Sequence, residues 1–393
     1  MTAPAALFSL VGLLLLSLAS CQTVTLDPSL ADLTSKNVEL AARLYRAVSS
    51  RSDDNVFLST FTLNAGLLAL LSAANGTTRD ELLQELGLTG TDLETLPDQF
   101  QSLRTAVQPA GLQQGVAVFP AQPFQLSQSY LDLLRKFGGI GESLSYTTPQ
   151  EAANTINLWA EEATGDQVRD LVANLDSETQ LLLVTAATFQ ARFSPPFNVS
   201  ITQDERFYVD RYHVVMVPMM FRAGKFFLAY DRQLKVGVLK LPMAGGAAML
   251  VALPDEGVDV TVVEEDVNGG TIQNWIRQLK KTKLEVQLPR FLLERSYRLR
   301  DVLQTLSITQ VFQGSAHLAN MGGASGIKLN QVYHKCFVSV DETSDEVTAG
   351  GGASVFTSLP PRLTVNRPFL FVVYEEASGG VLAMGRVLDP SRR

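Results

Sequence analysis

The stretch VDETSDEVTAGGGASVFTSLPPRLTVNRPFLFVVYEEASGGVLAMGR, residues 340–386, carries the strongest fold signal in this chain. Its middle part, residues 343–354, has almost no bulky side chains, and the glycines at 350–352 weaken both helix and strand because each loses much backbone entropy on folding. The segment nevertheless alternates as a strand does. A loop-like composition with a strand-like pattern predicts an exposed loop that can also join a β-sheet. One face of the extended chain would carry Val347, Ala349, Gly351, Ala353 and Val355.

The residues that follow this loop resemble the C-terminal signature of the serpin superfamily. The signature is matched by LTVNRPFLFVV at 363–373, and its usual ending by Gly385-Arg386-Val387 followed by Pro390. The stretch DRYHVVMVPMMFRAGKF at 210–226 is most similar to the antitrypsin-like plasma group. Further matches are NVFLS at 55–59, with Thr60 in place of the usual proline, INLW at 156–159, VPMM at 217–220, LPRF at 288–291 and HK at 334–335.

The resemblance implies an α+β serpin fold, with mixed β-sheets, about eight or nine helices and an exposed reactive-centre loop at about 342–361. It also implies an activity. Members present this loop as bait for a serine protease, and after cleavage the loop inserts into the main sheet and carries the acylated enzyme with it. We therefore expect residues 22–393 to form one monomeric serpin domain whose partner is a serine protease.

Composition agrees with a single large globular unit. The chain has 393 residues, of which 46% are apolar and 18% charged. Neither a long Pro/Ser linker nor a charge block divides it, so one large domain is as admissible as two or three smaller ones. The net charge of −8 argues against nucleic-acid binding, because phosphate contacts need a basic surface.

Hydrophobic periodicity predicts mainly helices in the first half and mainly strands in the second, which favours an α+β fold with mixed sheets. Helices are predicted over 35–48, 61–71, 151–172 (ended or interrupted at Gly165-Asp166) and 298–306. Strands are predicted over 206–218, 226–230, 236–241, 247–253 and 284–288.

Residues 1–21 are predicted to be a secretory signal peptide. Residues 1–20 carry no charged side chain, and Ala19-Ser20-Cys21 supplies the small residues that signal peptidase prefers, so the mature chain would begin at Gln22. The apolar run is short for a membrane span. A bacterial lipoprotein cleavage site at 18–21 is the alternative, which the two glycosylation motifs below disfavour. We expect a secreted protein of the extracellular space, without a membrane anchor.

Two tripeptides, Asn75-Gly-Thr and Asn198-Val-Ser, are candidate N-glycosylation sites. Asn198 follows Pro195-Pro196, a predicted exposed turn, and is the better candidate of the two. If Cys21 leaves with the signal peptide, Cys336 is the remaining cysteine, and we predict a buried small hydrophobe there rather than a reactive thiol.

Catalytic and metal-binding motifs are sparse. The chain has three histidines, His213, His317 and His334, and no G-x-S-x-G elbow, so a Ser–His–Asp hydrolase is not indicated. The cysteines and histidines give no zinc pattern. The Gly-rich run 322–326 lacks the Gly-Lys-Ser/Thr ending of a phosphate loop and is predicted to be a plain turn. We expect neither enzymatic activity nor a cofactor.

By resemblance, Ser59, Thr62, Thr185 and His334 fall at the family's shutter, where the central strands part to admit the loop. Thr185 stands where an asparagine is usual. The simpler interpretation is a satisfied hydrogen-bond cluster in a mixed core. Both interpretations can hold, because the cluster must be stable in the closed sheet and must form again in the expanded one.

Four cations, Arg277, Lys280, Lys281 and Lys283, are predicted to lie at one end of a helix that includes Trp275. Some serpins bind heparin through basic residues of the corresponding helix, so heparin or a protein cofactor is a candidate second partner. The alternative is a solvated helix face, which the acidic remainder of the chain favours.

The bait loop sets the specificity of an inhibitor. Counting back from Pro360-Pro361 by the family pattern places the scissile bond at Thr357–Ser358, and counting forward from Glu342 places it one residue later. A protease that prefers aromatic residues would instead cut after Phe356. No Arg or Lys lies near this position, so the resemblance implies a chymotrypsin- or elastase-like target rather than a trypsin-like one.

The hinge of the loop departs from the inhibitory pattern. Inhibitors usually have Glu-x-Gly followed by Thr or Ser, whereas this chain has Glu342, Thr343, Ser344 and Asp345. Asp345 lies on the same alternating face as Val347 and Ala349, and burying an unpaired carboxylate costs on the order of several kcal/mol. The sequence favours a secreted serine protease inhibitor, and a non-inhibitory serpin (carrier, peptide precursor or binding factor) is the alternative.

Overall fold

The computed structural model describes residues 28–322, 326–343 and 360–393, and within them the chain forms nine α-helices. They are α1 (Pro28–Ser49), α2 (Thr60–Ala73), α3 (Gly76–Glu85), α4 (Leu96–Val107), α5 (Gln128–Lys136), α6 (Pro149–Ala163), α7 (Val260–Asp266), α8 (Gly269–Gln278) and α9 (Arg300–Thr305). An apolar stripe that includes Val38, Ala41 and Tyr45 buries one side of α1, whereas α2 has no polar face and is buried almost all round.

The same residues contain fourteen strands. They are β1 (Val56–Leu58), β2 (Leu112–Pro120), β3 (Gly139–Gly141), β4 (Leu181–Ala191), β5 (Gln203–Tyr208), β6 (Val214–Asp231), β7 (Val236–Pro242), β8 (Ala247–Pro254), β9 (Lys280–Pro289), β10 (Phe291–Arg298), β11 (Gln331–Val340), β12 (Arg362–Thr364), β13 (Phe369–Glu375) and β14 (Val381–Val387).

The strands form two sheets. The nine-stranded sheet has the order β1-β14-β13-β8-β7-β6-β9-β12, with β5 paired to β6, and the five-stranded sheet has the order β10-β11-β4-β2-β3. In the smaller sheet, β11 and β4 are parallel neighbours, in register from Gln331 opposite Leu182 to Val340 opposite Ala191. Because these two strands run in the same direction, a chain that turned back from the end of β11 could pair with both of them in antiparallel fashion.

The five-stranded sheet is covered on both faces over most of its length. One face packs in the main core with α1, α2 and the nine-stranded sheet, and Leu183 and Phe189 of β4 point into that core. The other face packs against α6, where Ile156 and Ala160 contact a smaller cluster that includes Val184. Burial on both faces explains why the sequence of β4 is an almost continuous apolar run instead of an alternating one.

The helix predicted over 151–172 is shorter than predicted. It ends at Ala163 because Gly165 and Asp166 take left-handed φ values of 59° and 63°, which an α-helix cannot continue through. The other helix predictions are confirmed with shifted ends. Residues 35–48 and 61–71 lie within α1 and α2, and the helix predicted over 298–306 is α9.

The strand predicted over 206–218 is wrong as a single element. β5 ends at Tyr208, a turn follows, and β6 starts at Val214 and runs on through the separately predicted run 226–230. The remaining strand predictions, over 236–241, 247–253 and 284–288, fall within β7, β8 and β9. Within the described residues, none of the helices combines the length and the apolar character that crossing a membrane would require.

Candidate functional site

The end of β11 is fastened to both sheets through Glu342. Arg290, between β9 and β10, donates from Nε to Oε2 at 3.0 Å and from Nη2 to Oε1 at 2.8 Å. The hydroxyl of Thr202 donates to the same carboxylate. Burial alone would raise the pKa of Glu342, but the hydrogen bonds from Arg290 and Thr202 outweigh it and hold the pKa below its usual value.

Asp341 stabilises the first residues beyond β11. Its carboxylate accepts hydrogen bonds from Ser339 Oγ at 2.7 Å and from the backbone N–H of Thr343 at 2.8 Å. These bonds lower the pKa of Asp341 although its partial burial acts in the opposite direction. The chain is therefore held in place as far as Thr343. The other hinge residues (Ser344, Asp345, Val347 and Ala349) and the candidate scissile positions (Phe356, Thr357 and Ser358) lie outside the described residues.

The other end of the loop is attached to the nine-stranded sheet. β12 pairs in parallel with β9, and the backbone N–H of Glu285 donates to the carbonyl of Pro361 at 3.0 Å. Arg362 donates from both Nε and Nη2 to Oε2 of Glu285, at 2.9 and 2.7 Å. The two ends of segment 344–359 thus belong to different sheets, one at β11 and the other at β12.

The four shutter candidates are brought together in one buried cluster. The backbone N–H of Ser59 donates to His334 Nε2 at 3.2 Å, and His334 Nδ1 lies 2.8 Å from Thr185 Oγ1. Ser59 Oγ and Thr62 Oγ1 are 2.7 Å apart, and Thr62 donates in turn to the amide oxygen of Gln114, a member that the sequence did not reveal. The cluster links the start of α2 to β2, β4 and β11, so it spans the seam between the two parallel strands.

The hydrogen bonds assign the protonation of His334. Because Nε2 accepts from Ser59, Nδ1 carries the proton and donates to Thr185, whose hydroxyl donates to the carbonyl of Tyr333 at 3.2 Å. Complete burial disfavours the charged ring and lowers the pKa of His334 to about 3. The neutral cluster is satisfied in the closed sheet, as the simpler interpretation of these residues requires.

The predicted position of the basic cluster on a helix is wrong. α8 ends at Gln278, so Arg277 lies in its last turn, while Lys280, Lys281 and Lys283 belong to strand β9 and are exposed. Pairing of β9 with β6 extends the cluster, because Lys283 lies directly opposite the exposed Lys225. Sequence reasoning missed Lys225 because it is far from the other four along the chain.

The two glycosylation motifs differ in accessibility. Asn198 is exposed, and its Oδ1 accepts hydrogen bonds from the backbone N–H of Ser200 at 3.0 Å and from Ser200 Oγ at 2.8 Å. Asn75 is half-buried at the start of α3, and its Oδ1 is a buried atom without a hydrogen-bond partner in the described residues. The structure thus favours Asn198 as the acceptor that an enzyme can reach.

Cys336 lies in the interior of β11, where burial raises the pKa of its thiol well above the usual value. Its Sγ contacts the carbonyl oxygen of Phe57 at 3.0 Å. Among residues 28–322, 326–343 and 360–393, no three His, Cys, Asp or Glu side chains are grouped in a way that could hold a metal ion.

Comparisons with known proteins agree with this architecture. Residues 35–390 match the family model described as "Serpin (serine protease inhibitor)". Protein Z-dependent protease inhibitor of Mus musculus is 30% identical over 370 residues, which cover 91% of this chain and 82% of the relative. The resemblance of residues 210–226 to the antitrypsin-like plasma group is consistent with this relative.

Solved structures give the same result. The crystal structure of mouse protein Z-dependent protease inhibitor matches with a TM-score of 0.85 and 29% identity, over 93% of this chain and 100% of the other. Human thyroxine-binding globulin complexed with thyroxine matches with a TM-score of 0.85 and 27% identity, over 92% and 99%. With a family model that spans nearly the whole chain and with the two-sheet fold described above, the chain belongs to the serpin family.

Proposed function

We propose that the protein is a secreted inhibitor of serine proteases that works by cleavage and insertion of its reactive loop, residues about 342–361. The protease serine attacks the carbonyl carbon of Thr357, the peptide bond to Ser358 breaks, and the amine of Ser358 leaves with a proton. The enzyme is then held as an acyl ester on Thr357. Insertion of the freed loop removes the ester from the geometry that water would need for deacylation.

The observation that carries this proposal is the parallel pairing of β11 and β4. The loop leaves the end of β11, so it can fold back and enter between these strands with antiparallel bonds on both sides. From Glu342 to Thr357 is about 15 residues, which is roughly 50 Å of strand at ~3.3 Å each and exceeds the length of β4. The small side chains at 349–354 suit the narrow space of a central strand.

The residues around the proposed scissile bond, Thr357–Ser358, indicate the class of the target protease. Between residues 343 and 359 the sequence has no Lys or Arg, which a trypsin-like specificity pocket would require. Phe356 and Thr357 instead suit chymotrypsin- and elastase-like enzymes.

We also infer a glycan on Asn198 and secretion into the extracellular space after removal of residues 1–21. Heparin or a protein cofactor is inferred as a second partner, bound by the basic patch at Lys225, Lys281 and Lys283.

A second candidate function is supported by the hinge and by one of the comparisons. Ser344 and Asp345 replace the residues that inhibitors usually have there. Human thyroxine-binding globulin, which the solved structure shows in complex with thyroxine, has the same fold. In that case the protein would be a non-inhibitory serpin, a carrier, peptide precursor or binding factor, whose loop is cleaved without trapping the enzyme.

Incubation with chymotrypsin and with elastase, followed by SDS electrophoresis, separates the two candidates. An inhibitor gives a complex that survives SDS, because the enzyme is bound as an ester. A matched variant, Ala349→Arg, places a cation on the face that insertion buries, so it should be cleaved without forming the complex. Cleavage of the wild type to a nicked product alone, with either enzyme and at every ratio, would contradict inhibition and favour the second candidate.

A further inference from the structure

The five-stranded sheet has an open cleft on the face that α6 otherwise covers. α6 ends at Ala163, and after the left-handed residues Gly165 and Asp166 the chain packs back on the sheet through Val168 and Val172. Gly165 passes so close to β2 that a side-chain Cβ there would lie 2.9 Å from the amide oxygen of Gln113. Beside this turn, a cleft of about 360 Å³ lies over the strands. We call it the sheet-face cleft.

Strand register builds the floor of the sheet-face cleft across three strands. Thr188 of β4 lies opposite Gln113 of β2 on one side and Phe337 of β11 on the other. Two residues further along β4, Gln190 lies opposite Ser339 of β11. Because directly opposite residues share a face, these side chains form two rows that cross the β4–β11 seam. Gly111, Gly165, Gln167 and Arg192 complete the lining.

The floor has hydrogen-bonding capacity that the protein does not use. The side chains of Gln113, Thr188 and Gln190 make no hydrogen bond to any other group in the part of the chain that the structure describes. Thr188 is nevertheless buried, with 7% of its surface exposed, as is the ring of Phe337 with 8%. Gln113 is exposed and Gln190 half-buried, so their amides and the hydroxyl of Thr188 are open to a ligand that replaces water.

The character of the lining selects the class of ligand. The charged side chain in the described lining is Arg192, which already takes part in an interaction of its own. What the cleft offers is the neutral amides of Gln113 and Gln190 and the hydroxyl of Thr188, each able to donate and to accept, beside the ring of Phe337. The hydroxyl of Ser339 already donates to Asp341. The volume lies at the lower end of the range of small-molecule sites, roughly 300–1,000 Å³. These properties fit a compact, neutral ligand rich in hydroxyl groups, such as a polyol or a small sugar.

We propose that the sheet-face cleft binds a small neutral polyhydroxy compound and that its occupancy opposes insertion of the reactive loop. The second part of this proposal, the effect of the ligand on loop insertion, rests on the proposed function. Adjacent strands lie ~4.8 Å apart, so a strand inserted between β4 and β11 moves them to ~9.6 Å. A ligand that bonds to Gln190 on β4 and packs against Phe337 on β11 cannot keep both contacts in the expanded sheet. By linkage, a ligand that prefers the closed sheet shifts the equilibrium away from expansion and binds the expanded form more weakly.

The test of the site uses the intact protein and sucrose as the probe, with binding followed by saturation-transfer-difference NMR on the sugar. Sucrose stabilises most proteins by exclusion from their surface, so a change in melting temperature would not be evidence of a site. We expect a saturable signal in the wild type and an affinity at least tenfold lower in the double variant Gln113→Leu/Gln190→Leu. The matched control, Gln101→Leu on the exposed side of α4, should bind as the wild type does.

No saturable signal in the wild type, or equal affinities for the wild type and the cleft variant, would overturn the site. Gln113→Leu alone, at an exposed position, answers the same question if the double variant is unstable, and should lower the affinity severalfold. The coupling is tested on protein whose loop has been nicked with elastase or chymotrypsin. We expect the saturable signal to disappear there.

The melting temperature of the nicked protein separates the two ideas. If it rises and sucrose binds as tightly as before, insertion occurs and the proposed coupling is wrong. If it does not rise, the loop does not insert, and the coupling falls together with the proposed function. The comparison of Gln113→Leu/Gln190→Leu with Gln101→Leu still decides the binding site in that case, because it uses uncleaved protein.

Discussion

Arg290 and Glu342 connect the two sheets just beyond the end of β11, where the proposed reactive loop begins. Nη2 of Arg290 lies 2.8 Å from Oε1 of Glu342, and the carboxylate side chain is 6% exposed while Arg290 is 41% exposed. Thr202 supplies a third hydrogen bond. Glu342, the first residue of the hinge, is therefore bound to Thr202, which precedes β5, and to Arg290, which precedes β10. Insertion of the loop either breaks these hydrogen bonds or starts beyond Glu342.

Glu342→Ala should lower the free energy of unfolding by about 1–2 kcal/mol, because hydrogen bonds to a charged group contribute ~1.5–3 kcal/mol and the exposure of Arg290 screens part of this. Denaturant unfolding of the uncleaved protein measures the change. Asp98→Asn is the matched control, since it breaks the exposed pair with Lys136 and should have almost no effect. Equal losses for the two variants would show that the Glu342 contact is no stronger than a surface pair.

The neutral His334 cluster should make stability depend on pH. The folded-state pKa of His334 is lowered to about 3 from the ordinary 6.5, so below pH 6.5 the unfolded chain takes up a proton that the folded chain does not. The contribution to stability is complete above pH 6.5 and is lost at about 1.4 kcal/mol per pH unit as the pH falls toward 3. Between pH 7 and pH 5 this amounts to about 2 kcal/mol.

His334→Gln should remove that part of the pH dependence, whatever it does to the stability at pH 7. Unfolding midpoints measured at pH 7, 6 and 5 give the slope. His317→Gln, at an exposed position, is the control and should keep the slope of the wild type. The burial argument for His334 fails if the two variants have the same slope.

Cleavage of the reactive loop should raise the melting temperature by roughly 10 °C or more. Insertion adds a central strand whose hydrogen bonds contribute about 1 kcal/mol each, and 1 kcal/mol corresponds to ~2 °C in a large domain. Calorimetry before and after nicking measures the change. Nicked Ala349→Arg should not show the increase, and an unchanged melting temperature in the wild type would contradict insertion.

The fold could be predicted from the sequence to a large extent, because its signals are local or belong to long motifs. The apolar face of α1 and the buried helix α2 follow from periodicity, and the family follows from residues 363–373. The contact of Arg290 with Glu342 could not be predicted, since 52 residues separate two polar side chains that no pattern connects. Gln114 and Thr202 were missed for the same reason: each is an ordinary polar residue until tertiary folding places it beside its partner.

The basic cluster shows why one local prediction was wrong. Residues 275–283 are rich in Lys, Arg and Gln, which favour helices, so propensity alone extends α8 as far as Lys283. In the structure, ten residues of β9 pair with β6 from Lys280 onward, and this tertiary pairing overrides the weak local preference. The outcome changes the shape of the candidate heparin site from a helix end to a sheet face.

The basic patch on that sheet face should retain the protein on a heparin column. The triple variant Lys280→Ala/Lys281→Ala/Lys283→Ala should elute at lower salt, and adding Lys225→Ala should lower the elution salt further, because Lys225 lies opposite Lys283. Retention should fall with ionic strength, since exposed charges are screened over ~10 Å at 0.1 M salt. Arg277→Ala, on the neighbouring helix, should have a smaller effect. The same elution salt for wild type and triple variant would exclude this surface.

Asp345 should limit the efficiency of inhibition. By alternation along the strand it points to the face that insertion buries, and the sequence offers no Lys or Arg between residues 343 and 359 to pair with it locally. A carboxylate at that position enters the sheet only by finding a partner elsewhere or by taking up a proton, and in the second case its pKa rises on insertion.

Asp345→Thr should therefore speed insertion and lower the number of inhibitor molecules consumed per protease trapped. The wild type should behave partly as a substrate, and more so at higher pH, where the proton is harder to supply. Titration of residual protease activity against inhibitor, with an enzyme that cuts within residues 356–358, measures both effects, and Ser344→Thr is a neutral control for the neighbouring hinge position. Identical stoichiometries for the wild type and Asp345→Thr, at every pH, would mean that the buried carboxylate is accommodated, and the main argument for a non-inhibitory role would be lost.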